Sequence, residues 1–261
     1  MVFAPGAAQP LLTLEALHKT YPGQATPILD GVSLTLDAGE FVAIMGESGT
    51  GKSTLLNLIA GLDRPDSGRI ILAGQDLGAL QDDALTRLRR ARIGFIFQAF
   101  HVLPYLTALQ NVALPLDLLD VARNQRGQRA STALASCGVG ELAARYPREL
   151  SGGQRQRVGV ARALAGDPPV LLMDEPFGAL DPLTRAEIQR EFHALQKRLQ
   201  KTIIFVTHDM REALLLGTRI ALLESGKLVG VFTPDEFLRA PDANAAAYVA
   251  AFRTDDGKSN L

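Results

Sequence analysis

Gly46-Glu47-Ser48-Gly49-Thr50-Gly51-Lys52-Ser53 has the residue types and the spacing of a loop that holds phosphates. Its glycines let the backbone approach an anion and turn N–H groups towards it. The helix that follows adds a partial positive charge at its first turn. Lys52 can reach the outer phosphates, and the Ser53 hydroxyl can ligate Mg²⁺. Far downstream, Leu150-Ser151-Gly152-Gly153-Gln154 supplies a second helix start of the same character. Its S-x-x-Q spacing is that of a capping box, and its two glycines offer backbone N–H groups at a positive helix end. A plain well-capped helix satisfies the same spacing. One chain has no obvious use for two phosphate sites, so the two stretches together suggest a nucleotide-driven protein that works as a pair.

Other residues gain meaning from where they fall. Asp174 and Glu175 close an apolar run, Val170 to Met173, of strand type. A carboxylate at the C-terminal edge of a strand, beside a phosphate loop on another strand, can hold Mg²⁺ directly or through water. The next one can accept a proton from an attacking water or orient it. Gln98 ends the strand Ile93 to Phe97, and His208 follows the strand Thr202 to Val206. Both therefore belong to the edge where ligands bind in such sheets. His18, His101 and His193 have no such support. Tyr21, in a turn, suits either stacking on an adenine ring or packing on its own sheet. Arg87, Arg89, Arg90 and Arg92 read as a solvated helix face. The apolar stretch Phe100 to Leu116 fits either a helical core or a docking surface for another protein.

These residues need elements to carry them. Phe41 to Met45 reads as a buried strand before the phosphate loop, and Ser53 to Ala60 as the helix after it, ending at Gly61. Leu11 to Glu40 alternates short apolar runs with turn signals and reads as a small antiparallel sheet, to which Gly68 to Gly74 adds a strand. Asp82 to Arg92 is a basic amphipathic helix. From Ala99 to about Leu150 the pattern is mostly helical, with Pro104, Pro115 and Pro147 as breaks. The helix Pro182 to Gln200 separates two later strands. The expected fold is α/β: a P-loop NTPase core with a mainly parallel sheet, an N-terminal antiparallel β subdomain and an inserted helical subdomain at about 99–165.

Composition narrows the class. The 261 residues are 47% hydrophobic and 21% charged, with a net charge of −1, so no global basic field argues for nucleic acid. The one cysteine, Cys137, reads as a small apolar residue and agrees with a reducing compartment. No apolar run approaches the ~20 residues of a membrane helix. Met1 to Pro10 lacks the charged and apolar regions of a signal peptide and reads as a short flexible lead.

Taken together, the motifs resemble those of an ATP-binding cassette (ABC) protein, the nucleotide-binding subunit of an ABC transporter. The resemblance spans about Leu11 to Phe252 as a single domain, with 1–10 and 253–261 as flexible tails. Tyr21 is similar to the aromatic A-loop residue. Gly46, Glu47, Ser48, Gly49, Thr50, Gly51, Lys52 and Ser53, with Thr54 beyond them, resemble Walker A, and Gln98 the Q-loop. Ser151, Gly152, Gly153 and Gln154 resemble the LSGGQ signature. Val170 to Glu175 resemble Walker B with its catalytic glutamate, Asp181 sits in a D-loop-like Ala179-Leu180-Asp181, and His208 resembles the switch histidine.

The resemblance implies ATP and Mg²⁺ as cofactors, with Ser53, Gln98 and Asp174 at the metal and Glu175, His208 and Gln98 in hydrolysis. It implies a head-to-tail homodimer, or a pair with a related cassette, with each ATP between Walker A of one chain and the signature of the other. It further implies an integral membrane permease as partner, a solute-binding protein if the transporter imports, and a place at the cytoplasmic face of the membrane. Phe95 to Gln98 with Leu106 to Leu116 resembles lipoprotein-releasing and macrolide-export cassettes. Pro176 to Arg185 and Thr233 to Leu238 resemble importers of osmolytes, taurine or nitrate, although the chain leaves no room for the large C-terminal regulatory modules of some of them. Two other readings stand beside transport: an ABC ATPase acting mechanically on a membrane partner, and a nucleotide-binding module without turnover. Retention of Glu175 and His208 argues against the last.

Overall fold

A computed structural model describes residues 9–97, 101–199, 201–239 and 243–258. Two sheets organise the chain. The first is antiparallel, in the order β2 (Leu29–Leu36), β1 (Leu12–Lys19), β4 (Ser67–Leu72), β5 (Gln75–Asp76). The second has six strands: β10 (Lys227–Phe232), β9 (Arg219–Glu224), β3 (Phe41–Met45), β8 (Thr202–Thr207), β7 (Val170–Asp174) and β6 (Ile93–Ile96). All its neighbours run parallel except β10 against β9. This is the α/β arrangement expected, with the antiparallel N-terminal sheet where the turn signals put it.

The strands of the parallel sheet are buried on both faces, so they read as unbroken apolar runs. Along β3, Val42 and Ile44 face one core with α1 (Lys52–Ile59) and the antiparallel sheet. Phe41, Ala43 and Met45 face a second core. That core takes in residues of α5 (Gly152–Leu164), α6 (Pro182–Leu199), α7 (Met210–Leu216), α8 (Pro234–Leu238) and α9 (Ala243–Lys258). A third core joins α3 (Ala108–Leu118), α4 (Arg123–Ser136) and one side of α5. The helix α2 (Asp82–Arg92) has the predicted bounds. Its Arg87, Arg90 and Arg92 are exposed, and Arg89 donates to the Gly61 carbonyl that ends the first helical region.

Several expectations change. Pro115 breaks nothing: it lies inside α3, which continues to Leu118. Proline removes one helical N–H bond, but the buried residues Val112 and Leu116 on either side anchor the helix in the third core. The two candidate helices also begin earlier than their apolar patterns suggest: α1 at Lys52, directly after its N-cap Gly51, and α5 at Gly152, whose glycines lie in its first turn. The C-terminal stretch expected as a tail from 253 is helical through Lys258.

Candidate nucleotide site

Register brings the chemistry to one edge. Met45 pairs with Thr207, Val206 with Asp174, and Met173 with Ile96, so β3, β8, β7 and β6 end side by side. The phosphate loop leaves β3 there, and the turn bearing His208 leaves β8. The loop closes on Gly51, the N-cap of α1, at φ 98°. A side chain at that position would be strained by its φ, and its Cβ would lie 2.5 Å from the Ile28 carbonyl oxygen. No side chain caps α1, so its first-turn N–H groups are left to an anion.

Lys52 is only 6% exposed, and its ammonium donates to the carbonyls of Gly46 at 2.9 Å and Glu47 at 2.5 Å. Burial lowers its pKa, while the carboxylates of Glu175 and Asp174 oppose that shift. The Ser53 hydroxyl donates to Asp174 Oδ1 at 3.2 Å, uniting two of the three residues expected at a metal. Burial raises the Asp174 pKa, against the pull of Ser53, with Glu175 pushing it further up and Lys52 pulling it down. Among the described residues, no cluster of three His, Cys, Asp or Glu side chains forms a metal cage. Hydroxyl and carboxylate oxygens with an anion-binding loop beside them fit Mg²⁺, which is commonly held by one or two protein oxygens plus phosphates and water.

Glu175 follows directly, with a φ of 42°. Left-handed backbone at a non-glycine residue stores strain, and such strain clusters at functional positions. Its N–H donates to Val206, and its carboxylate Oε1 lies 3.3 Å from Nδ1 of His208. The two residues expected to act on water thus face each other across β7 and β8. Gln98 lies outside the described residues.

The second helix start is closed on itself. Ser151 Oγ accepts from the N–H of Gln154, and Gln154 Oε1 accepts from the N–H of Ser151, completing the expected capping box. Gly153 carries a packing constraint as well. A Cβ there would come within 2.8 Å of Thr184 Cγ2, so this glycine serves close packing of α5 on α6. Gly152 is less confined. Asp181 is committed locally: its carboxylate accepts from the N–H of Thr184 at the start of α6, and hydrogen bonds from the Thr184 side chain and N–H lower its pKa. Tyr21 donates its hydroxyl to Asp63 at 3.0 Å, and the Lys19 ammonium sits 5.2 Å from the centre of its ring. That ties Tyr21 to β1 and to the loop after α1.

Sequence reasoning missed two buried amides that brace neighbouring segments. Buried Gln156 of α5 donates to the carbonyl of Pro176, joining the signature helix to the segment after Glu175. Buried Asn111 of α3 accepts from the N–H of Leu103 and donates to the carbonyls of Leu103, Leu106 and Thr107. It thereby shapes the loop ahead of α3. A lone amide inside an apolar helix was the available signal, but its partners were not. The described part of the stretch Phe100 to Leu116 holds both buried and exposed residues. Ala108, Val112 and Leu116 are core, while Tyr105 is 70% exposed.

A family model described as ABC transporter matches residues 29–178. The choline transport ATP-binding protein OpuBA of Bacillus subtilis is 47% identical over 88% of this chain and 60% of its own length. The glycine betaine/proline betaine transport system ATP-binding protein ProV of Salmonella typhimurium is 46% identical over 84% of this chain and 54% of its own. The chain thus spans little more than half the length of these relatives. A dimeric ATP-binding cassette solved in a post-hydrolysis state with ADP and phosphate superposes with a TM-score of 0.76 at 40% identity, covering 85% of this chain and 98% of that one.

The chain belongs to the ABC transporter family. Within it, the chain matches the ATP-binding cassette in both sequence and fold.

Proposed function

We propose that this chain is the ATP-hydrolysing subunit of a membrane importer for small zwitterionic or quaternary-ammonium solutes. The observation that carries the ATP-driven part is the convergence of Lys52, Ser53, Asp174, Glu175 and His208 on one sheet edge. The substrate class is supported by the relatives whose names specify choline and betaine transport. It agrees with the osmolyte-type sequence from Pro176 to Arg185, and it sets aside the resemblance of Phe95 to Leu116 to export cassettes.

The N–H groups of the phosphate loop and Lys52 bind and orient the phosphates, with Gly46 to Thr54 as the cradle. Bound at Ser53 and Asp174, with Gln98 completing its ligands, Mg²⁺ would neutralise charge on the phosphoryl oxygens. Glu175 accepts the proton of the attacking water, and His208 holds that carboxylate and the transferred group in register. Tyr21 stacks on the base. Ser151, Gly152, Gly153 and Gln154 close over the nucleotide of a second cassette, and Asp181 lies at that contact. Ser151 suits this, because its oxygen accepts within its own helix while its proton stays available to a phosphate. The dimeric form of the matched cassette supports pairing.

No helix among the described residues is long and apolar enough to cross a membrane; in this reading the chain acts on a separate permease at the cytoplasmic face. The exposed part of the segment before α3, with Tyr105, suits that contact. Purification of Glu175→Gln from solubilised membranes with ATP tests the whole reading. The expected companions are a permease and a solute-binding protein. Recovery of a permease with a large extracytoplasmic domain, or of no membrane protein, would overturn the import assignment.

A further inference from the structure

Behind His208 lies a buried polar cluster that the hydrolytic scheme does not use. Glu212 is 5% exposed, and its carboxylate accepts from the Thr207 hydroxyl at 2.6 Å and from Gln189 Nε2 at 3.0 Å. Thr207 Oγ1 in turn accepts from the N–H of Asp209 at 3.0 Å. Asp209 is the N-cap of α7, and its side chain accepts from Arg211 N–H. A glutamate in the first helical turn ordinarily reaches back to the N-cap N–H itself. Here it does so through the Thr207 hydroxyl, which brackets His208 from both sides.

Burying a carboxylate is costly unless its oxygens are satisfied, and a hydrocarbon side chain of the same size would fill the space without that cost. What the carboxylate adds is a tie between two elements. Thr207 ends β8, and Gln189 belongs to α6. The charged groups facing Glu212 are Asp209 and His208 of its own turn and Arg185 of α6. His208 meets Glu175 at 3.3 Å although it is itself largely exposed, so the turn on which it stands does much to fix its place.

We propose that Glu212 is a positioning residue for His208, holding the turn Thr207–Asp209 to α6 so that His208 stays in reach of Glu175. This rests on the reading of His208 as part of the hydrolytic site. The test is a cycle of steady-state ATPase measurements on the full chain: wild type, Glu212→Ala, His208→Ala and the double variant. Glu212→Ala should lower kcat about tenfold with KM for ATP within about twofold of wild type, and should cost less than about twofold in the His208→Ala background. Thr207→Val should reproduce the Glu212→Ala pattern, and Thr207→Ser, which keeps the hydroxyl, should recover most of the rate. If Glu212→Ala does not fold, the Thr207 pair reads the same cycle.

An unchanged kcat, or an equal fold-loss in both backgrounds, would overturn the proposal while leaving His208 in its role. A His208→Ala protein as active as wild type would overturn the hydrolytic reading of His208, and the positioning role with it.

Discussion

The chain has two glycine-flanked helix starts, and they are built differently. At α1 the N-cap is Gly51, no side chain satisfies the first turn, and Lys52 lies buried against the loop carbonyls. At α5 the N-cap is Ser151, and a reciprocal capping box with Gln154 meets the needs of the turn from within. The first is an anion site with its own cation and its own neighbouring carboxylates. The second is a stable helix end whose Arg155 donates back to the carbonyls of Pro147 and Leu150, with a hydroxyl proton and N–H groups to offer. A complete site and a half-site on one chain make sense when two chains combine, each lending its half to the other's nucleotide.

This contrast can be broken or sharpened experimentally. Glu175→Gln should reduce ATP hydrolysis by at least about 10²-fold, the typical scale for a lost proton acceptor, while ATP binding persists. Phosphate release and fluorescent-nucleotide titration check the two halves, and near wild-type turnover would remove Glu175 as the base. Lys52→Ala should weaken ATP binding by roughly 10–100-fold, since charged hydrogen bonds contribute about 1.5–3 kcal/mol. Calorimetric titration of the protein with Mg-ATP decides it, and unchanged affinity would deny α1 its special status.

Gly153→Ala should destabilise the protein by about 1–3 kcal/mol through overpacking against Thr184. Combination with Thr184→Ser, which removes the clashing methyl, should recover much of that in a thermal melt. If Gly153→Ala alone melts like wild type, the packing account of this glycine fails. Ser151→Ala should cost about 1 kcal/mol for the lost cap, and should also impair ATP-dependent dimerisation followed by light scattering. A loss of stability with dimerisation intact would make α5 a capped helix and nothing more.

Much of this architecture was legible in the sequence. Phe41–Met45 and Asp82–Arg92 have the bounds that their apolar runs and periodicity gave. The Ser151–Gln154 box was readable because both partners sit within one turn. Pro115 misled, because a local preference was set against a buried helix face visible only in three dimensions. Gly153 was read for its N–H when its missing Cβ mattered as well, a fact that depends on where α6 runs.

The sequence by itself determined which residues can bind phosphate, hold Mg²⁺ or move a proton, because those capacities belong to side chains and to turns closed over a few residues. It also determined the strands and most helices, whose signals repeat over short stretches. Only the tertiary structure decided that Ser53 meets Asp174 and Glu175 meets His208. It alone showed the buried amides and carboxylate of Gln156, Gln189 and Glu212 holding neighbouring segments in place. Apart from the local Thr207–Glu212 bond, those contacts join residues well separated in the chain through strand register and core packing, and a polar side chain carries no local mark of the distant partner that makes its burial tolerable.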